Sequence, residues 1–339
     1  MGNQLLRGSS STPSQAVDRL IRYRSFRNTD PPALAEIWRS QPRFHRLAQP
    51  MSAGQLEQHV FSKTYFDPAG LIVAVDGARP VGFVHAGFGP NALGSEIDPA
   101  RGAICQLFVI PHTDRSVILV ELLEAAEDYL RRQGAKQVFI GNVDGYGPFY
   151  LGFYGSASLL GTICSDTAQL AFFQEMQYEA QREQLVLQRS LMGFRPPVDR
   201  DQMRHRRTLE SVARYDPPSR SWWEASTTSC LERVTFELLP KCGGPALASS
   251  LVWHMQPLCG AWGVRAAGLE QLWATECSWG DGTALMLMAD TLKGLQSDGV
   301  TLVEAVVDNL ESPTSRLLLS LGFASVDRGV TLRKTFSPQ

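Results

Sequence analysis

Residues 278–289, SWGDGTALMLMA, place two glycines and a threonine directly before an apolar run with helical character. Glycine lets the backbone approach a ligand closely, and the free N–H groups at the start of a helix attract anions, phosphate groups in particular. The stretch therefore predicts an anion-binding turn. The alternative is a plain loop-to-helix turn with Thr283 near the N-cap.

The elements that must position this turn occur twice along the chain. Each time a β-rich run is followed by a loop, an amphipathic helix that ends near a glycine, and a second β-rich run. They are strand 103–110, helix 118–134 and strand 137–142 in the first copy, and strand 269–276, helix 284–299 and strand 300–307 in the second. Matching order and similar lengths predict a duplicated fold.

Bulk composition sets the remaining limits. A chain of 339 residues predicts two domains, and the net charge of −2 disfavours nucleic acid and anionic membranes as partners. The six cysteines form no CxxC pair and have no histidines at ligand spacing, so we expect reduced thiols and no metal site. No run is apolar enough for a signal peptide or membrane span, which favours a cytoplasmic protein.

We expect four segments along the chain. They are a flexible leader (1–19), an N-terminal domain (20–192), a linker rich in Arg and Pro (193–222) and a C-terminal domain (223–339). The basic cluster 204–207 within the linker is interpreted as a solvated face, with a phosphate or nucleic-acid patch as the alternative. The N-terminal domain also holds an insertion, 145–161, whose alternating aromatic residues and glycines suit either a lid or a loop packed between the halves.

The order of these motifs resembles the GNAT superfamily of acetyl-CoA-dependent N-acetyltransferases, present twice in tandem. The resemblance implies an α/β (α+β) protein with two GNAT folds, each a mixed, mostly antiparallel central sheet flanked by helices. It further implies acetyl-CoA as co-substrate, no metal, and transfer of an acetyl group to a primary amine of a small molecule or peptide. In this family a base deprotonates the amine, and a tyrosine often protonates the departing thiolate.

In the second copy, Gly282 and Ala284 fill the family's Gly-x-Gly/Ala positions, whereas Trp279 replaces its Arg or Gln. Asp281 adds a negative charge beside the expected pyrophosphate. Asn309 matches the family's Asn after the fifth strand, or else only begins a helix. The resemblance thus implies the cofactor-binding set Leu272, Ala274, Trp279, Gly280, Asp281, Gly282, Thr283, Ala284 and Asn309.

The first copy departs further from the family pattern. Val117 and Leu119 stand where the glycines belong, so their β-carbons would crowd a pyrophosphate, although Arg115 could still attract an anion. Phe173 replaces the family's tyrosine here, as Leu318 does in the second copy. We therefore expect the first copy to be structural and the second to hold the donor.

Glu270, on the strand before the second loop, is the expected catalytic base. The alternative is an ordinary surface or edge glutamate, in which case His254 and Glu276 are the reserve candidates for the base. The first copy offers Cys105 and Gln106, poor bases at neutral pH, as well as His85 and His112. An amine that is already neutral would need no strong base, and the departures from the pattern leave a catalytically inactive binding or scaffold protein as the alternative function.

Overall fold

The computed structural model describes residues 21–143, 147–197 and 200–336, and the predicted leader (1–19) lies outside them. The strands are β1 (Ile21–Ser25), β2 (Leu71–Asp76), β3 (Arg79–Pro90), β4 (Ile97–Val109), β5 (Gln137–Ile140), β6 (Thr162–Ile163), β7 (Glu179–Ser190), β8 (Leu209–Tyr215), β9 (Arg233–Pro240), β10 (Ala248–His254), β11 (Ala266–Ala274), β12 (Leu302–Val307) and β13 (Ala324–Thr335). We refer to residues 21–197 as the N-terminal half and to residues 200–336 as the C-terminal half.

Helices flank the strands in both halves. They are α1 (Pro31–Arg39), α2 (Ala53–Leu56), α3 (Arg115–Arg132), α4 (Thr167–Glu175), α5 (Arg200–Thr208), α6 (Trp222–Thr228), α7 (Gln256–Trp262), α8 (Glu276–Gly280), α9 (Thr283–Ser297) and α10 (Pro313–Ser320). A π-helical turn, Glu57–Phe61, continues α2, and a 3₁₀ turn, Pro68–Gly70, precedes β2. No helix within these described ranges is both long and apolar enough to span a bilayer.

The strands of the described residues form one continuous sheet in the order β1-β2-β3-β4-β5-β13-β7-β12-β11-β10-β9-β8, with β6 beside β13. Two parallel pairs, β4 with β5 and β11 with β12, interrupt an otherwise antiparallel sheet. The mixed, mostly antiparallel sheets expected from the sequence are therefore confirmed, and they are fused edge to edge.

The two halves exchange their last strands. β13 of the C-terminal half pairs with β5 of the N-terminal half, where Arg333 lies opposite Phe139. In return, β7 of the N-terminal half pairs with β12, where Ser190 lies opposite Leu302. Each half thus completes the other's sheet with backbone hydrogen bonds.

The two parallel pairs repeat the same local geometry. Pairing of β4 with β5 ends at Ile104, and pairing of β11 with β12 ends at Leu269. In each case the next residue, Cys105 or Glu270, is skipped in the antiparallel register with the preceding strand, which is a β-bulge. A bulge redirects a side chain and bends its strand, so both copies splay open at equivalent positions.

The segment expected to be a linker, 193–222, contains regular structure. Within it, α5 carries the basic cluster and β8 forms the outer edge of the sheet beside β9. Most of β8 is exposed or half-buried, so its residues lack the apolar alternation by which a strand is recognised. The weak apolar pattern of this segment therefore did not predict the helix and the strand that it forms.

The aromatic insertion packs against the core of the N-terminal half. Phe149, Tyr150 and Phe153 are each less than 5% exposed, and Trp38 stacks on Tyr150. Packing, rather than a free lid, thus describes the insertion, although Tyr146 lies outside the described residues.

Candidate active site at the junction of the halves

The loop after β11 is open around its glycines. α8 interrupts what the sequence predicted as a simple loop, and Gly282 follows it with a φ of 85°, in the left-handed region that favours glycine. A β-carbon built on Gly280 or Gly282 would meet no atom within 4 Å. The backbone here is accessible at the N-terminus of the long helix α9.

Asp281 already uses one of the amides at this helix start. Its Oδ1 accepts a hydrogen bond of 2.9 Å from the Thr283 N–H, and its carbonyl oxygen accepts one of 2.8 Å from His205 Nε2 of α5. Partial burial alone would raise the pKa of Asp281, but the hydrogen bonds from Thr283 hold it below its ordinary value. A carboxylate therefore stands in the place where an incoming anion would bind.

The other predicted donor-binding residues differ in how accessible they are. Thr283, Ala284 and Ala274 are buried, whereas Leu272 and Trp279 are half-buried against the core of the C-terminal half. Asn309 is exposed, and its Oδ1 accepts 2.9 Å hydrogen bonds from the N–H groups of Glu311 and Ser312 ahead of α10. Asn309 thus forms a turn that leads into α10, whose N-cap is Ser312.

Glu270, the predicted base, is the bulged residue of β11 and is held by an arginine. Arg233 Nε lies 3.1 Å from Glu270 Oε2, and Arg233 Nη2 lies 3.0 Å from Oε1. Burial raises the pKa of Glu270 above its ordinary value of 4.5, although the charge of Arg233 opposes this. The carboxylate is therefore fixed in orientation and is a stronger base than a free glutamate.

Glu270 lines a cavity of about 440 Å³ between the two halves, which we call the junction cavity. The C-terminal half contributes residues of α6 and the turn after it, including Trp223, Glu224 and Cys230. The N-terminal half contributes His59, Lys63 and parts of the insertion, 147–151 and 157–159. The cavity is large enough for a small organic amine or a short side chain.

A second pocket, of about 300 Å³, lies in the N-terminal half between the end of β4, the start of α3 and α4. Leu107 and Phe108 of β4 line it together with Phe173, and Arg115 and Arg43 add positive charge. This pocket follows the splay of β4 and β5. Two arginines and the carboxylate of Asp166 thus line a pocket in the half that the sequence predicted to be structural.

The remaining candidates in the N-terminal half are poorly placed as bases. Burial lowers the pKa of His85 to about 3 and raises that of the Cys105 thiol, so both are neutral at pH 7. His112 Nε2 lies 3.6 Å from Asp76. The bulge of this half therefore presents a buried thiol where the other presents a carboxylate.

Sequence reasoning did not assign His59, Lys63 or Cys230 to a site, although all three line the junction cavity. They come from different halves and follow no local motif, so only the folded chain brings them together. Nor was Arg233 identified, because its partner Glu270 lies on a strand that is not adjacent to β9. Among the described residues, no three His, Cys, Asp or Glu side chains form a group suited to a metal ion.

Comparison with solved structures identifies the fold. A tandem GNAT protein from the clavulanic acid biosynthesis pathway is 15% identical, with a TM-score of 0.62, over 94% of this chain and 100% of that chain. A GCN5-related N-acetyltransferase from Sphaerobacter thermophilus is 16% identical, with a TM-score of 0.58, over 95% of this chain and 97% of that chain.

A third similar structure is the GCN5-related glucosamine N-acetyltransferase region of a fungal multi-domain β-N-acetylglucosaminidase. It is 16% identical, with a TM-score of 0.66, over 94% of this chain and 38% of that chain. No curated protein matches the sequence significantly. Residues 32–154 match the model of the GNAT acetyltransferase family, whose members are acyltransferases. Residues 32–154 thus match the GNAT acetyltransferase family, and the chain as a whole has the fold of tandem GNAT proteins.

Proposed function

We propose that this protein transfers an acetyl group from acetyl-CoA to a primary amine of a small molecule or peptide. One observation carries the proposal. Glu270 lines the junction cavity from the bulge of β11, and the same strand leads into the open loop at Gly280 and Gly282. A base, an acceptor cavity and a donor loop thus share one strand.

The donor loop fits a pyrophosphate in part. Free amides at the N-terminus of α9 and glycines without close neighbours favour an anion. Asp281 opposes it, because its carboxylate must give up the Thr283 amide before a phosphate can take that hydrogen bond. We therefore expect modest donor affinity at this loop.

Glu270 would act as the base for the acceptor amine in the junction cavity. The raised pKa of Glu270 lies closer to the pKa of an ammonium group than the pKa of a free carboxyl group does, which favours proton transfer from the amine. Arg233 holds the orientation of the carboxylate. α10 carries Leu318, which is fully buried, at the position where the family has its tyrosine acid. This position therefore offers no phenol. The departing thiolate would take its proton from solvent or from the acceptor.

Two single substitutions test which half binds the donor. Asp281→Asn removes a negative charge that would repel the pyrophosphate at the start of α9. We expect it to tighten CoA binding by about two- to five-fold, the size of effect that a single charge has at a helix terminus. Arg115→Ala removes a cation from the N-terminal pocket and should leave the affinity unchanged. Isothermal titration with CoA measures both. Weaker binding only in Arg115→Ala would place the donor in the N-terminal half instead.

An inactive binding or scaffold protein is the second candidate. Phe173 and Leu318 stand where a tyrosine acid is expected, and Asp281 occupies an amide of the donor loop. A turnover assay with acetyl-CoA and a panel of polyamines, amino sugars and peptides distinguishes the two. Sustained release of the CoA thiol would exclude the scaffold, whereas CoA binding without turnover on any acceptor would favour it.

A further inference from the structure

Cys230 lies in a reactive setting within the junction cavity. Its Sγ is 3.2 Å from His59 Nδ1 and 3.6 Å from Lys63 Nζ, and all three side chains line the cavity. Cys230 follows α6 of the C-terminal half, whereas His59 and Lys63 belong to the N-terminal half. The arrangement exists only because the two halves meet there.

Lys63 places a fixed positive charge beside the sulfur. Its ammonium group donates hydrogen bonds of 3.0 and 3.1 Å to the carbonyl oxygens of Ser226 and Thr227 near the end of α6. A cation held next to a thiol stabilises the thiolate, which is the nucleophilic form of cysteine. Cys230 is half-buried and lines the cavity, so a ligand bound there lies next to this residue.

His59 is placed to hydrogen-bond the thiol and orient it. Burial, reinforced by the charge of Lys63, lowers the pKa of His59 to about 4, so its imidazole is neutral at physiological pH. A neutral ring has a lone pair on one nitrogen, and Nδ1 lies within hydrogen-bonding distance of Sγ. The edge-to-face contact of the ring with Phe153, at 4.8 Å between centroids, restrains its orientation.

We propose that Cys230 is an acyl relay, which takes the acyl group from the donor thioester and passes it to the acceptor amine. The inference rests on the proposed function and deepens it, because Glu270 lines the same cavity at the splay where the thioester would enter. Two other cysteines differ in setting. Cys105 is buried with a raised pKa, and Cys242 is exposed beyond β9.

The two transfers balance without any oxidant or reductant. In the first, the Cys230 sulfur attacks the thioester carbonyl carbon, the bond from that carbon to the CoA sulfur breaks, and the thiol proton passes to the departing CoA thiolate. In the second, the amine nitrogen attacks the acyl-Cys230 carbonyl, the carbon–sulfur bond breaks, and a proton from the amine returns to the sulfur. The products are an amide, free CoA and regenerated Cys230.

The first transfer needs no acceptor, so it can be tested before the acceptor is known. The full chain is incubated with acetyl-CoA alone, quenched in acid and analysed by intact-mass spectrometry and peptide mapping. We expect one acetyl group on Cys230 that hydroxylamine removes. Cys230→Ala should show none, and the matched control Cys242→Ala should be acetylated like the wild type.

Thiol activation has its own readout, independent of CoA. Alkylation of Cys230 by iodoacetamide at neutral pH should be about tenfold slower in Lys63→Met, because the cation beside the sulfur is removed. Thermal unfolding followed by circular dichroism verifies that each variant is folded. Equal alkylation rates in the wild type and in folded Lys63→Met would contradict the activated thiol.

The outcomes separate this inference from the function on which it rests. If CoA binds but acetyl-CoA leaves no adduct on Cys230, or if folded Cys230→Ala retains full turnover, the relay is wrong while the acyltransferase proposal stands. If acetyl-CoA does not bind at all, the proposed function fails and the relay fails with it. A hydroxylamine-sensitive adduct together with loss of turnover in Cys230→Ala supports both.

Discussion

Arg46 of the N-terminal half lies 3.0 Å from Glu304 on β12 of the C-terminal half, measured from Nη1 to Oε2, and neither side chain is more than 1% exposed. The Nε of Arg46 also lies 3.0 Å from Asp327 of β13. The carboxylate of Glu304 also accepts hydrogen bonds from the N–H of Ala157 and from the side-chain amide of Gln188. This ion cluster is saturated with partners at the point where the halves meet.

Replacing Arg46 with methionine should destabilise the fold strongly. Two carboxylates would be left buried without their cation, and breaking such a cluster costs about 3–5 kcal/mol. Urea denaturation followed by circular dichroism measures the free energy of unfolding. The matched control is Arg328→Met, because Arg328 pairs with Glu183 at the surface, where both side chains are more than half exposed.

Arg328→Met should change the free energy of unfolding by no more than about 0.5 kcal/mol. A loss in Arg46→Met as small as that of the surface control would show that the junction cluster does not stabilise the fold.

Cutting the chain after residue 197 tests the exchange of β7 and β13. Neither segment alone can form the observed sheet, because β5 would lack β13 and β12 would lack β7. We expect each segment to be unfolded or aggregated when produced alone and to form a stoichiometric complex when the two are co-expressed. Circular dichroism and size-exclusion chromatography distinguish these states. Cooperative unfolding of an isolated segment would mean that its own last strand can take the exchanged place.

The sequence predicted the strands and helices next to the candidate site because their apolar periodicity is strong, as in β4, α3, β11 and α9. It did not predict the strand exchange. β7 and β13 follow the same kind of helix in both copies, so nothing local tells which β-edge each strand joins. The cavity was missed for a similar reason, since Lys63 and Cys230 are brought together only by the tertiary fold.

Gly161→Ala should be far more destabilising than Gly77→Ala. Both glycines have a positive φ, of 81° and 61°, so both substitutions carry the strain of the left-handed region, about 1–2 kcal/mol. A β-carbon on Gly161 would also lie 2.5 Å from the carbonyl oxygen of Val330 on β13, whereas one on Gly77 meets nothing within 4 Å. The clash should add about 1–3 kcal/mol to the loss of unfolding free energy.

Urea denaturation of the two glycine variants under identical conditions gives the difference directly. Equal losses would mean that the insertion moves away from β13 without cost, and would weaken the description of residues 147–161 as part of the packed core.

Glu270→Gln should lower turnover by about 10²-fold or more, as expected for loss of a general base, while the protein stays folded. Glutamine keeps an oxygen that can accept from Arg233. Because burial raises the pKa of Glu270, its ionised form disfavours the folded state at pH values above that pKa. Removing this charge should therefore not lower stability at pH 7. Initial rates and thermal unfolding across pH 4–8 test both expectations.

Glu224, in the same cavity, is the matched control because its pKa shift has the opposite sign. Burial alone would raise the pKa of Glu224, but hydrogen bonds from Arg220 and Arg233 outweigh it and lower the pKa to about 2. Its charge therefore stabilises the fold above the unfolded pKa of 4.5, and this stability is lost as the pH falls towards 2. Glu224→Gln should thus lower stability at pH 7, unlike Glu270→Gln. If Glu270 is the base, turnover of the wild type should decrease on acidification through the raised pKa of Glu270, above 4.5. The same dependence of turnover on pH in Glu270→Gln would assign the base to another group.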